Sequence, residues 1–196
     1  MEPADTDVSK DQPPKEVANV WVPFRYEFLL EGFRRGSELL MDAVNDGSAD
    51  ASVIVYPLGY LSRHRLELMM KVALGTGRLL GHEVPDDLFR SHSLARLWAE
   101  TKNVVAAYCS EEESGADEAD PIIQRMHEFD PDSQHFRYVR TNRGDPTLAG
   151  IPKIDLTQLS EDAKRAEEVL TGITDYLRTA LHEKRRTQVT SSGDLV

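Results

Sequence analysis

The sequence is nearly free of cysteine: Cys109 is the single thiol in 196 residues. That excludes an intramolecular disulfide and fits a reducing compartment, so a cytoplasmic location is expected. No run of about 18 apolar residues occurs, so neither a membrane span nor a membrane partner is expected. The N-terminus, Met-Glu-Pro-Ala-Asp-Thr-Asp, lacks the basic and apolar stretches of a secretory signal. There is no glycine-rich phosphate loop and no Gly-x-Ser-x-Gly elbow. Basic charge is also scarce, with 23 Lys and Arg against 34 Asp and Glu, a net charge of −11. Much of the excess is concentrated. Residues 111–120 hold six acids and no base, and residues 1–16 hold five acids and two lysines, so the remainder is close to neutral. This argues against a broadly basic nucleic-acid surface and leaves room only for a local basic groove.

What is present is helical periodicity. Residues 1–16 read as a disordered acidic tail, residues 17–186 as a single helical domain, and residues 187–196 as a second disordered tail. A first helix is expected from near Pro23 to Val44, ended by Asn45-Asp-Gly. On it Gly32 and Gly36 lie four apart, which suits either the close approach of another helix or local tolerance. A second helix, the most apolar, is expected from Pro57 to Gly81. A third is expected from Ser91 or Ser93, acting as a cap, to Cys109. The acidic run 111–120 reads as a loop, and Asp120-Pro121 as the start of a short helix through about Glu128. Two short strands, Phe136–Thr141 and Lys153–Leu156, are expected to pair. A last helix runs from Leu159 to Lys184, with Leu159, Ala163, Ala166, Leu170, Ile173, Leu177 and Leu181 on one face. The fold class is therefore all-α: an antiparallel bundle of four to five helices with a small irregular or two-stranded insert before the last.

The second helix carries a polar stripe on an otherwise core-like surface: Tyr60, Arg63, His64, Glu67 and Lys71. Spacings of three and four bring such side chains together. Buried charge is costly unless paired, so the stripe is a satisfied network, a functional site, or both. As a site, the candidate catalytic group is Arg63, His64 and Glu67. Glu67 would orient His64, and an imidazole beside a guanidinium able to clamp phosphate is a minimal kit for phosphodiester cleavage. Tyr60, Lys71, His92 and Arg137 are candidate binding residues. His92 sits near the start of the third helix and could join His64 across the bundle, or serve as a cap. Arg137, between Phe136 and Tyr138, could reach Glu67 or a phosphate, or pack the insert on the bundle. His64-x-x-Glu67 reverses the order used in di-iron bundles and lacks a second copy, so no metal and no cofactor are expected.

Three motifs in order, Tyr56-Pro-x-x-Tyr-Leu-x-Arg-His-x-Leu-Glu-Leu-x-x-Lys71, Ser91-His-x-Leu-x-x-Leu-Trp98, and Phe129-Asp-Pro-Asp-Ser133 with Phe136-Arg-Tyr138, resemble HEPN-type helical proteins of prokaryotic defence and toxin systems. The resemblance spans residues 24–181. It implies a helical bundle that forms a homodimer and acts on or binds RNA, by metal-independent phosphodiester cleavage in the catalytic members. Other members are inactive modules that bind RNA or a partner protein. Active members carry an arginine and a histidine on one helix with four to six residues between them. Here Arg78 and His82, and Arg178 and His182, have three between them, and Arg63 and His64 are adjacent. The alternative expectation is therefore a non-catalytic helical adaptor that binds a partner protein of the same system, with the stripe as a buried structural network.

Overall fold

The computed structural model describes residues 26–109 and 114–193. The acidic tail 1–16, the expected helix start at Pro23 and residues 111–113 of the acidic run lie outside the described residues. Five α-helices are present among them: α1 Tyr26–Asn45, α2 Ala51–Leu80, α3 Leu94–Tyr108, α4 Ala116–Phe129 and α5 Leu156–Gly193, with a short 3-10 turn at Asp86–Arg90 before α3. The protein is an all-α bundle.

Several helix ends differ from those expected. α2 begins at Ala51, not Pro57, because Asp50 caps it by accepting from the Ser52 amide at 2.6 Å. Proline suits a first turn, but here it stands inside the helix, as does Pro121 in α4. α4 accordingly starts at Ala116, so the latter half of the acidic run is helical rather than loop. Ser93 is the cap of α3, accepting from the Arg96 amide. Gly81 ends α2 with a φ of 103°, the left-handed conformation that glycine adopts without penalty. α5 starts at Leu156 and stays helical through Gly193, past the expected end at Lys184 and into the stretch expected to be a disordered tail.

α2 is the central helix and packs against α1, α3 and α5. Its Leu58, Leu66, Met70, Ala73 and Leu74 are completely buried. Helix directions follow from contacts along the chain. Leu30 meets Arg65, Phe33 meets His64 and Gly36 meets Leu61, so α1 runs antiparallel to α2. Arg65 pairs with Glu167 while Lys184 donates to the Leu80 carbonyl, so α5 runs parallel to α2. α3 does the same, with His92 beside Glu67 at one end and Val104 on Gly77 at the other. The bundle is thus mixed in direction. Parallel neighbours need a long return, and residues 81–93 supply it between α2 and α3, whereas α4 runs antiparallel to α5, with Glu118 on Arg165 and Arg125 on Asp162.

Residues 130–155, between α4 and α5, form the insert. The expected pairing of Phe136–Thr141 with Lys153–Leu156 does not form among the described residues; one isolated bridge joins Arg140 to Pro146, which lies outside both segments. Residues 134–138 turn instead, with the Arg137 and Tyr138 amides both donating to the Gln134 carbonyl. Packing rather than pairing fixes the insert. Phe136 is buried, and its ring lies against Gly59 of α2 so closely that a Cβ there would come within 2.5 Å of it.

Candidate functional site

The stripe on α2 divides into a buried half and an outer half. Arg63 and Glu67 are 0% and 1% exposed, and Arg63 Nη1 donates to Glu67 Oε2 at 2.9 Å. Nε of Arg63 donates to the Asp130 carbonyl at 2.9 Å, and Nη2 donates to the His92 carbonyl. The Asp130 carboxylate, also fully buried, stands 3.4 Å from Arg63 Nε. One guanidinium therefore joins α2 to the end of α4 and to the segment before α3. Asp130 is fixed in turn, because Oδ1 accepts the amides of Gln134 and His135 at 2.7 and 3.0 Å. Glu67 is completed on its other oxygen: Oε1 accepts from Lys71 at 2.8 Å and pairs with His92 Nδ1 at 3.0 Å. Burial pushes the Glu67 carboxyl up, but Lys71 and Arg63 outweigh it and hold the pKa below the ordinary value.

His64 does not join this network. It lies 100° around the helix from Arg63 and points toward α1. Its ring stacks on Tyr60 at 5.4 Å and meets Phe33 edge-on at 5.0 Å. Burial lowers its pKa below the usual imidazole value; Glu67 opposes, while Arg63, Lys71 and Arg137 add to the lowering. Arg137 packs over Tyr60 at 5.6 Å and over Tyr138 at 5.2 Å, and donates to the Ser133 carbonyl. It does not pair with Glu67. Nor does His92 meet His64, since His92 is held on Glu67. The outer half is thus a row of Tyr138, Arg137, Tyr60, His64 and Phe33, with Arg137 and Tyr138 exposed.

The candidates Arg63, His64 and Glu67 therefore do not converge on one substrate position. Arg63 and Glu67 are closed inside the protomer, and His64 belongs to a different cluster. Sequence reasoning missed Asp130, although it lies in the Phe129-Asp-Pro-Asp-Ser motif; an acid among turn residues gives no sign of burial. It also missed Asp120, which accepts from Trp98 Nε1 and Lys102 and ties α3 to α4. Among the described residues no group of three His, Cys, Asp or Glu is placed to hold a metal ion.

The titrating groups set a pH dependence. His64 and His127 are both lowered below 6.5 by burial, and Glu67 is lowered below 4.5. For each, the unfolded chain binds protons more readily, so stability is full above the unfolded value and is lost as pH falls through the folded one. Thermal melts across pH 4–8 are expected to show a plateau above about 6.5 and a decline below it. The decline steepens below about 4.5 as Glu67 takes up its proton. A profile that stays flat between pH 7 and 5 would contradict this.

No helix among the described residues is long and apolar enough to cross a membrane. Comparison with protein-family models, with curated proteins and with solved structures finds no match to this chain.

Proposed function

We propose that the chain is a non-catalytic, HEPN-like helical adaptor of a prokaryotic defence or toxin system, cytoplasmic and homodimeric, that binds a partner protein of the same system. The observation that supports the non-catalytic reading is the closure of Arg63. A phosphate clamp must touch its substrate. Arg63 is fully buried, and its Nε and both terminal nitrogens are engaged by Asp130, Glu67 and His92 within one protomer. Opening it to solvent would leave the buried Asp130 carboxylate without its counter-charge and Glu67 with Lys71 as its remaining lysine or arginine partner, at a cost of several kcal/mol.

One observation favours a second reading, RNA binding without cleavage. Tyr138, Arg137, Tyr60 and His64 present aromatic faces and a guanidinium that makes no ion pair with an acid among the described residues. Bases stack on such surfaces, at ~1–3 kcal/mol each.

The test is incubation of the purified full chain with tRNA and a structured RNA. Both RNAs are expected to remain intact, with wild type and His64→Ala indistinguishable. Cleavage by wild type that His64→Ala abolishes would overturn the proposal. Binding of a labelled single strand that Tyr60→Ala weakens about tenfold would replace the protein partner by RNA.

A further inference from the structure

Arginine is unevenly paired in this chain. Arg34, Arg63, Arg65, Arg125 and Arg165 of the helices each sit on an acid, as expected where acids outnumber bases. Arg137, Arg140 and Arg143 of the insert are exposed and make no ion pair with an acid among the described residues, and neither does Lys153. Between residues 137 and 153 these four bases stand against one acid, Asp145, in a chain whose net charge is −11. The loop that carries the arginines is folded on its own backbone. The Thr147 amide donates to the Val139 carbonyl at 3.2 Å, the Thr141 amide to the Asp145 carbonyl at 2.8 Å, and the Gly144 amide to the Thr141 carbonyl at 2.9 Å. Thr147 Oγ1 donates to the Tyr138 carbonyl at 2.6 Å. Val139, between two of the arginines, is 89% exposed.

Beside the loop is a cleft of about 480 Å³, between the first turns of α2 and residues 147–154. Its walls are Val55, Tyr56, Leu148, Ile151, Pro152 and Ile154, and Lys153 also lines it. Cleft and loop are continuous, because Thr147 lines the one and closes the other on Val139. The combination defines what fits. Complementary charge steers association and suppresses wrong partners, so the occupant is acidic. The cations are spread out, with Arg137 over Tyr60, Arg140 on the Gly144 carbonyl and Lys153 at the cleft. That spread suits several acids along one chain better than a single anionic group. The cleft walls are mostly aliphatic and suit an aliphatic side chain, whereas nucleic-acid bases are held by aromatic faces. The chain's own acid-rich runs, 1–16 and 111–120, hold no leucine, isoleucine or aromatic residue, so they match the loop but not the cleft. A loop already closed by its own hydrogen bonds loses little freedom on binding.

We propose that the arginine loop and the cleft beside it form the partner-binding surface of this protein, and that they take an acidic segment of the partner protein whose aliphatic side chains enter the cleft. This rests on the partner-binding reading given under the proposed function and names the surface and the chemistry of the segment.

The test is fluorescence anisotropy with the full chain and three labelled probes: a glutamate peptide carrying two leucines, a glutamate peptide of the same length without leucine, and a single-stranded oligouridine. The leucine-bearing peptide is expected to bind about tenfold more tightly than the glutamate peptide, and more weakly as salt rises. Arg143→Glu combined with Lys153→Glu is expected to weaken it about tenfold. Neither side chain makes a hydrogen bond among the described residues, so this loss does not come from an opened loop. Ile151→Ser is expected to bring the leucine-bearing peptide down to the level of the glutamate peptide and to leave the latter unchanged. No binding of the leucine-bearing peptide, or binding that both variants leave intact, overturns this surface and leaves the adaptor reading standing. Binding of oligouridine in its place, lost in Arg143→Glu with Lys153→Glu, overturns both. Peptide binding that appears only after residues 1–24 are removed overturns the separate partner, because the chain's own N-terminal segment would then fill the cleft.

Discussion

Replacing Glu67 by glutamine is expected to destabilise the protein by about 3–5 kcal/mol, a fall of roughly 6–20 °C in melting temperature for a chain of this size. Glutamine keeps the shape and one acceptor but removes the charge. Arg63 would then be a fully buried cation facing only the Asp130 carboxylate at 3.4 Å and two carbonyls. Lys71 and His92 would lose their shared partner at Oε1. The loss is a large fraction of the ~5–15 kcal/mol that holds a typical domain together. It should appear as a shift in denaturant midpoint with the slope unchanged. A double-mutant cycle separates architecture from accidental strain. Arg63→Met is expected to cost a similar amount, and Arg63→Met combined with Glu67→Gln less than the sum of the two, because each single change strands the other's charge. An unchanged melting temperature for Glu67→Gln would remove the structural role assigned to the network, and with it the main support for a non-catalytic protein.

The same residues show how far a sequence can be read. The Arg63–Glu67 and Glu67–Lys71 pairs follow from local spacing, because side chains four apart on a helix are neighbours whatever the tertiary fold. The partners from other elements do not. The sequence leaves His92 open between His64 and a cap, and Arg137 open between Glu67 or a phosphate and packing of the insert; the structure sets His92 on Glu67 and packs Arg137 of the insert over Tyr60. Periodicity says which residues share a face and leaves open which neighbour that face meets. That choice depends here on α3 and α5 running parallel to α2, which no local signal specifies. The helix ends show a related limit. Ser93 and Gly81 were legible because a cap and a left-handed glycine act locally. Pro57 misled because proline suits a first turn, while Asp50, seven residues earlier, supplies a stronger cap. The strand pair failed for a third reason. Alternation in Phe136-Arg-Tyr-Val-Arg140 resembles a strand, but burial of the Phe136 ring against Gly59 decides the local conformation.

That contact carries the second large effect. Phe136→Ala is expected to cost about 3–5 kcal/mol, with the loss expressed first in the insert rather than throughout the bundle. Phe136 is the insert's largest buried side chain, at 4% exposure, and Gly59 offers it bare backbone. With the ring gone, Arg137 and Tyr138 lose their position over Tyr60, and the outer row of aromatic side chains comes apart. Trypsin should then cut at Arg137, Arg140 and Arg143 well before α2 or α5 unfolds, since local opening needs less free energy than global unfolding. Gly59→Ala attacks the contact from the other side. Its methyl would lie 2.5 Å from the ring, so the ring must shift, at about 1–3 kcal/mol, and the insert should become sensitive to trypsin in the same way. Trimming the ring should relieve that clash: Gly59→Ala with Phe136→Leu is expected to cost less than the two changes summed. Additive costs, or trypsin cutting that begins in the helices, would mean that the insert is held by something other than this ring. If the insert does open alone, RNA or partner binding that needs Arg137 should fail in Phe136→Ala at temperatures where the helical signal is still intact. That would make the outer row dependent on Gly59, although no side chain there takes part in recognition.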